Sequence, residues 1–201
     1  MSKRLNSGDP IQYLDTVRVG LSSAAALRFV DNTELVMGEN SSLLINNLIF
    51  NPQPGTAEGV LNMTSGFLRY TSAGRRSNII IQTSLAAIGI RGTVFDILAS
   101  STHVEVVVHE GNIVVDGNIK KALLRSGEVI KLNKDETFVS SKSPSLEIKK
   151  AVENVSQILK QSKHSFKKFK TYDIGTETTT LNQVPKKCSK KLTDIAVSYT
   201  H

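Results

Sequence analysis

The sequence has no tryptophan, a single cysteine (Cys188) and only 5% aromatic residues. A lone cysteine excludes an internal disulfide and the cysteine-rich zinc sites that need several thiolates, and it leaves the redox compartment open. Scarce aromatics speak against a sugar-binding scaffold, whose rings would stack on pyranose faces. No apolar run reaches the ~18 residues that a membrane-crossing helix needs. The opening MSKRLNSGDP has basic residues but no apolar stretch after them, so no signal peptide is legible.

Arginine is missing from residues 149–201, where eleven lysines face four acids. That surplus of seven equals the net charge of the whole chain, +7, so residues 1–148 balance to zero. A neutral body and a basic tail are two physical regimes. Hydrophobic residues at 39% suit a chain that is folded in one part and solvated in another.

From about Asp15 to Val139 short apolar runs alternate with turn residues. In AALRF, Ala25, Leu27 and Phe29 share one face, with Ala26 and Arg28 on the other; in VLNM, Leu61 and Met63 oppose Val60 and Asn62. ELVM, SLLINN, FLRY, NIIIQT, HVEVVVHE, NIVV and VIKL continue the pattern between corners such as Gly38-Glu39-Asn40, Gly66, Gly74, Gly111-Asn112 and Gly127. Strands of four to eight residues at this spacing predict an all-β domain over residues 1–142, as a sandwich or a loosely wound β-helix. β-branched residues and glycines are too dense for a helical bundle. The segment NPQPG (51–55) reads as a rigid polar loop.

At SSKSPSLEIKK the period changes. Ser143 is the expected helix cap, with Pro144 in the first turn, where its missing N–H costs nothing. Ile148, Val152, Val155 and Leu159 recur at steps of four, three and four, which predicts one amphipathic helix over 143–165. Residues 166–201 offer little apolar area to offset chain entropy and are expected to form a basic, largely unordered tail.

The stretch AAIGIRGTVFDI (86–97) places Arg91 between Gly89 and Gly92 inside an otherwise apolar strand. With DTVRVGLSSAAALRFVDNTELVMGENSSLLI, GFLRYTSAG, VVVHEGNIVV and LRSGEVIKL, it resembles the FecR-like domain of the ferric-citrate regulator family over about residues 5–132. The most specific part is Gly89 to Phe95, with Gly89, Arg91, Gly92, Thr93 and Phe95 as the family's motif residues. Asn32 stands where the family usually has glycine, and Ser84 where it tends to have proline. The resemblance implies a non-enzymatic regulatory domain working outside the cytoplasm in bacterial surface signalling. There it would receive a signal from an outer-membrane transporter or other envelope protein and pass it towards a sigma factor. It also implies that the family's first strand, upstream of Gly8-Asp9, is missing and that the chain is part of a longer exported protein. If Met1 is the true start, a cytoplasmic location follows instead.

Arg91 has two readings. It grips an anion, or its five donors satisfy carbonyls at a corner with Asp96 as partner. Gly89 and Gly92 would supply backbone angles or close approach, and Thr93 would tie the turn through its hydroxyl. An isolated Arg-Gly-Thr lacks the further glycines and the lysine of a phosphate-cradling loop, so the motif is read as building the fold.

Other chemistry is thin. His103 and His109 lie six residues apart on one strand, too far for a shared metal, and His164 and His201 fall in the helix end and the tail. Ser165 and Lys168 match a bare Ser-x-x-Lys without its companion motifs, and Asp135 and Glu136 sit in a polar turn. No catalytic, metal or cofactor site is expected. The remaining electrostatic feature is Lys163, Lys167, Lys168 and Lys170, interleaved with Phe166 and Phe169, and Lys186, Lys187, Lys190 and Lys191. These lysines suit an anionic membrane or a nucleic-acid backbone. Without arginine's bidentate fork, sequence-specific base reading is not expected of them.

Overall fold

The computed structural model describes residues 2–29, 31–51, 56–73, 77–90, 92–161 and 197–200. The alternating runs become β1 (Ser2–Leu5), β2 (Thr16–Val19), β3 (Ala25–Arg28), β4 (Glu34–Met37), β5 (Ser42–Asn51), β6 (Thr56–Thr71), β7 (Ser77–Gln82) and β8 (Ala86–Ile90). They continue as β9 (Val94–Ala99), β10 (His103–Glu110), β11 (Asn112–Gly117), β12 (Lys121–Arg125), β13 (Val129–Asn133) and β14 (Phe138–Ser141), then helix α1 (Leu146–Gln161) and β15 (Val197–Thr200). The chain is mostly β, as its period-two patterning predicts.

The strands curl into two facing layers that share β6. One runs β1-β15-β2-β5-β6-β7-β8-β11-β12; the other joins β3 to β4, β4 to β6, β6 to β9, β9 to β10, β10 to β13 and β13 to β14. Neighbours are antiparallel except β6 and β7, which run parallel. The sequence reads VLNM and FLRY as separate strands broken at Gly66, but β6 runs through both. Its first half pairs with β5 and β7 and its second half with β4 and β9.

Gly66 makes that change of layer possible. Its φ is +92°, and a Cβ there would lie 2.3 Å from the Ser41 hydroxyl oxygen. The same hydroxyl donates to the Phe67 carbonyl (2.9 Å) and accepts from the Phe67 N–H (3.0 Å), so Ser41 staples the bend. At the β3–β4 turn Asn32 has φ +65°, the left-handed conformation that asparagine tolerates better than other non-glycine residues, which accounts for its place where glycine is usual. Asp31 completes the turn by accepting from the Thr33 N–H and hydroxyl, both at 2.8 Å.

Between the layers lies the main core, with Leu27, Leu35, Leu43, Leu61, Met63, Tyr70, Ile81, Ile88, Phe95 and Val106 among its buried members. The expected facing of Ala25 and Leu27, and of Leu61 and Met63, holds. A second apolar cluster lies on the other side of the β4-β6-β9-β10-β13 layer. There Val36, Phe67, Leu98, Val107 and Val129 meet Ile148 and Val155 of α1, with Val152 and Leu159 packed against them. The helical stripe read from the sequence is thus the face that α1 buries.

The helix starts slightly later than expected. Ser145, not Ser143, is its cap: the Ser145 hydroxyl accepts the Ile148 N–H at 3.3 Å. The Ser143 carbonyl instead accepts from the Ser141 hydroxyl (2.8 Å), and Pro144 precedes the helix rather than entering its first turn. A strand, β1, does stand upstream of Gly8-Asp9, where none was expected. The NPQPG loop falls mostly outside the described residues. So does the tail, apart from β15, which pairs with both β1 and β2.

Candidate functional site

Three polar side chains are buried together on the α1-facing side of the second layer. Arg69 of β6 and Asp96 of β9 are cross-strand partners in register, and β9 pairs in turn with β10. His109 of β10 falls where the β9–β10 register slips, between Val108 opposite Phe95 and Glu110 opposite Val94. The irregularity brings the His109 ring to the Asp96 carboxylate, although Val107 is the residue in register with Asp96.

The carboxylate is saturated. Arg69 Nε donates to Asp96 Oδ1 at 2.5 Å and Arg69 Nη2 to Oδ2 at 2.6 Å, a side-on bidentate pair. His109 Nε2 lies 2.8 Å from Asp96 Oδ2. A carboxylate facing a guanidinium only accepts, so Nε2 carries the proton and donates. Its 3.4 Å approach to Arg69 Nη2 is then a contact between two donors, not a bond. Arg69 and Asp96 retain 4% and 2% exposure. Burial is the largest single influence on Asp96 and pushes its pKa up. The Arg69 charge, with the hydrogen bonds from Arg69 and His109, outweighs it and holds the carboxyl below its ordinary 3.8.

Among the described residues the cation paired with Asp96 is Arg69; Arg91, for which Asp96 was a candidate partner, lies outside the described residues. The other motif positions resolve individually. Phe95 is fully buried and stacks on Tyr70 with ring centroids 5.2 Å apart. Gly92 has φ +65°, as its expected role requires. Gly89 needs neither unusual angles nor space, since a Cβ there meets nothing closer than the Val114 carbonyl at 3.9 Å. The Thr93 hydroxyl does not tie the turn: it is buried without a hydrogen-bond partner among the described residues. Instead the Thr93 methyl packs where a Cβ on Gly111 would lie, 2.7 Å away, so the β8–β9 and β10–β11 corners interlock through the missing side chain.

A second buried carboxylate sits on the same face. Glu105 of β10 accepts the Ser145 N–H at 2.8 Å through Oε1 and the Ser145 hydroxyl at 2.5 Å through Oε2. It anchors the start of α1, where unsatisfied N–H groups and the helix dipole favour negative charge. Nearby, His103 Nε2 is 3.3 Å from the exposed Glu147 carboxylate, within ion-pair range but off the line of a hydrogen bond. No group of three metal-ligating side chains occurs among the described residues, and no described helix is long and apolar enough to cross a membrane. Lys163, Lys167, Lys168, Lys170, Lys186, Lys187, Lys190 and Lys191 all lie outside the described residues.

Arg69 and Asp96 had one sequence signal, a charge interrupting an apolar strand in FLRY and again in VFDI. Nothing linked the two charges across 27 residues, or either to His109.

The buried charges of this curled β-domain are thus closed on partners within the domain. Residues 15–114 match the family model described as FecR protein, so this part of the chain is a FecR-like domain. Two crystal structures of a provisionally assigned anti-sigma factor from Parabacteroides distasonis, at 1.65 and 2.50 Å, share the fold at 16% and 15% identity and TM-scores of 0.54 and 0.55. Each alignment covers 63% of this chain and 58% of the other, so the chain spans a little over half the length of those structures. No curated protein matches it.

Proposed function

We propose that the β-domain is the non-enzymatic, signal-receiving part of an envelope signalling regulator and that it acts by binding another protein. The FecR match over residues 15–114 carries this reading. The architecture supports it, because Asp96 has both oxygens committed to Arg69 and His109 and Glu105 is committed to α1, which makes both carboxylates parts of a scaffold. Within this reading the domain lies outside the cytoplasm, its partner is an outer-membrane transporter or another envelope protein, and the response reaches a sigma factor. The test is genetic. Deleting the gene in its host should shift, as a group, the transcripts that depend on one alternative sigma factor, and complementation should restore them. A transcript profile with no such coherent group would end this reading.

The lysine surplus of residues 149–201 favours a second role, in which the tail holds the domain on anionic lipid or nucleic acid. Binding of the full chain to phosphatidylserine vesicles or to duplex DNA should then fall steeply with salt. It should be lost when the eight lysines from Lys163 to Lys191 named above become glutamine. Salt-independent binding, or none, would remove this role.

A further inference from the structure

Strand β12 closes one layer and, among the described residues, pairs only with β11. The hairpin fixes which of its backbone groups are free. The Gly117 N–H donates to the Lys120 carbonyl at 3.0 Å, so Lys120 points its main-chain groups towards β11. Antiparallel pairs alternate between bonded and non-bonded, so Ala122 and Leu124 do the same, while Lys121, Leu123 and Arg125 point theirs away. Arg125 confirms the phase: its N–H turns from β11 to the Glu128 carboxylate at 2.8 Å. The N–H and C=O groups of Lys121 and Leu123 therefore form an open edge.

The side chains along this edge are patterned. Lys121, Leu123 and Arg125 are all exposed, Leu123 by 55%, and Ile119 in the adjoining turn is exposed by 81%. Ala122 and Leu124 lean into the core. Two acids border the strip and both are engaged, Asp116 with Lys121 at 2.7 Å and Glu128 at the turn. Lys120 adds a further cation, 5.9 Å above the Phe138 ring. Lysine on an edge commonly discourages strand addition, most of all by a strand that carries like charge. A second copy laid antiparallel about Leu123 would set Lys121 against Arg125, like charge on like charge.

We infer that the β12 edge is a docking site for an extended protein segment carrying acid, apolar and acid residues at alternate positions, added as an antiparallel strand with the acids opposite Lys121 and Arg125 and the apolar residue opposite Leu123. The inference rests on the partner-binding reading above and names the surface and chemistry of that contact.

The probe is the peptide acetyl-SETVTES-amide, titrated to millimolar concentration into the full-length, nitrogen-15-labelled protein, with acetyl-SKTVTKS-amide as control. The amides of Lys121 and Leu123 should shift with the acidic peptide, and the lysine peptide should bind at least tenfold more weakly. The Lys121→Glu, Arg125→Glu double variant should invert that preference. Leu123→Pro, which removes an outward N–H and leaves the β11 ladder intact, should weaken the acidic peptide at least fivefold while the spectrum stays folded. Absent shifts, shifts confined to other strands, equal binding of both peptides, an unchanged preference in the double variant, or self-association through β12 would each overturn the proposal. If the edge fails while the gene deletion still shifts its sigma-dependent transcripts, only the edge is lost. If the peptide binds but the transcripts do not move, the regulatory reading fails and the edge stands.

Discussion

Asp96 and Glu105 occupy the same face of the same layer, each with 2% exposure, yet they are held by opposite means. Asp96 faces two cationic or donor side chains from the strands on either side, so its tie runs within the sheet. Glu105 faces the neutral N–H and hydroxyl of Ser145, forty residues away, so its tie runs between sheet and helix. Losing a partner has different consequences in the two places. Around Asp96 it strands a charge inside the strand array. Around Glu105 it releases a helix that has its own apolar stripe to keep it near the sheet.

The largest expected effect follows from stranding the charge. Arg69→Met should cost about 3–5 kcal/mol in urea denaturation, the usual penalty for leaving one member of a buried pair unmatched. The double variant Arg69→Met, Asp96→Leu should recover most of that loss. If the single and double variants are equally unstable, the pair acts through packing and the contrast with Glu105 collapses.

Next comes Glu105→Ala, which should cost about 1–3 kcal/mol by leaving the donors of the first helical turn without their carboxylate. Hydrogen exchange should localise the damage. Amides of residues 146–161 should exchange faster while those of β6 and β9 keep their protection. Uniform acceleration across both would show that helix and sheet open as one unit.

The pH dependence sharpens the same contrast. Asp96 has a folded pKa below its ordinary 3.8, so its contribution is present above that value and is lost as pH falls through the folded pKa. Stability should therefore decline on the acid side below about pH 4, and the Arg69→Met, Asp96→Leu variant should lose that part of the decline. An unchanged acid limb in the double variant would assign it to other carboxylates.

At the small end, Glu147→Gln should change stability by less than about 0.5 kcal/mol, since its carboxylate is mostly exposed and only loosely paired with His103. Gly89→Ala should also be nearly neutral, within about 0.5 kcal/mol, because no neighbour approaches the added methyl. A loss of several kcal/mol at Gly89, measured by thermal unfolding, would restore it to the group of positions that require glycine.

These outcomes bear on how far the chain can be read without its fold. Strand positions such as Ala25, Leu27, Leu61 and Met63 were legible because period-two alternation is local. The face of α1 was legible because Ile148, Val152, Val155 and Leu159 repeat at helical steps. The cap was misplaced by two residues, since Ser143 and Ser145 are equivalent by type and only the position of Glu105 selects between them. The motif offered Asp96 as a candidate partner for Arg91, because proximity in sequence is the only proximity a sequence shows. Arg69 reaches Asp96 through strand register, a proximity that spans 27 residues and that no local pattern shows.

By itself, then, the sequence determined the β-class of the body, the amphipathic helix, the neutral and basic halves and the family resemblance, all of which depend on composition or on spacings of a few residues. Tertiary structure alone decided that one strand serves both layers, that Asp96 is closed by Arg69 and His109, that Glu105 anchors α1 and that β12, among the described residues, pairs on one side only. Each of those depends on which distant segments become neighbours, and that is set by burying both faces of a curled sheet at once.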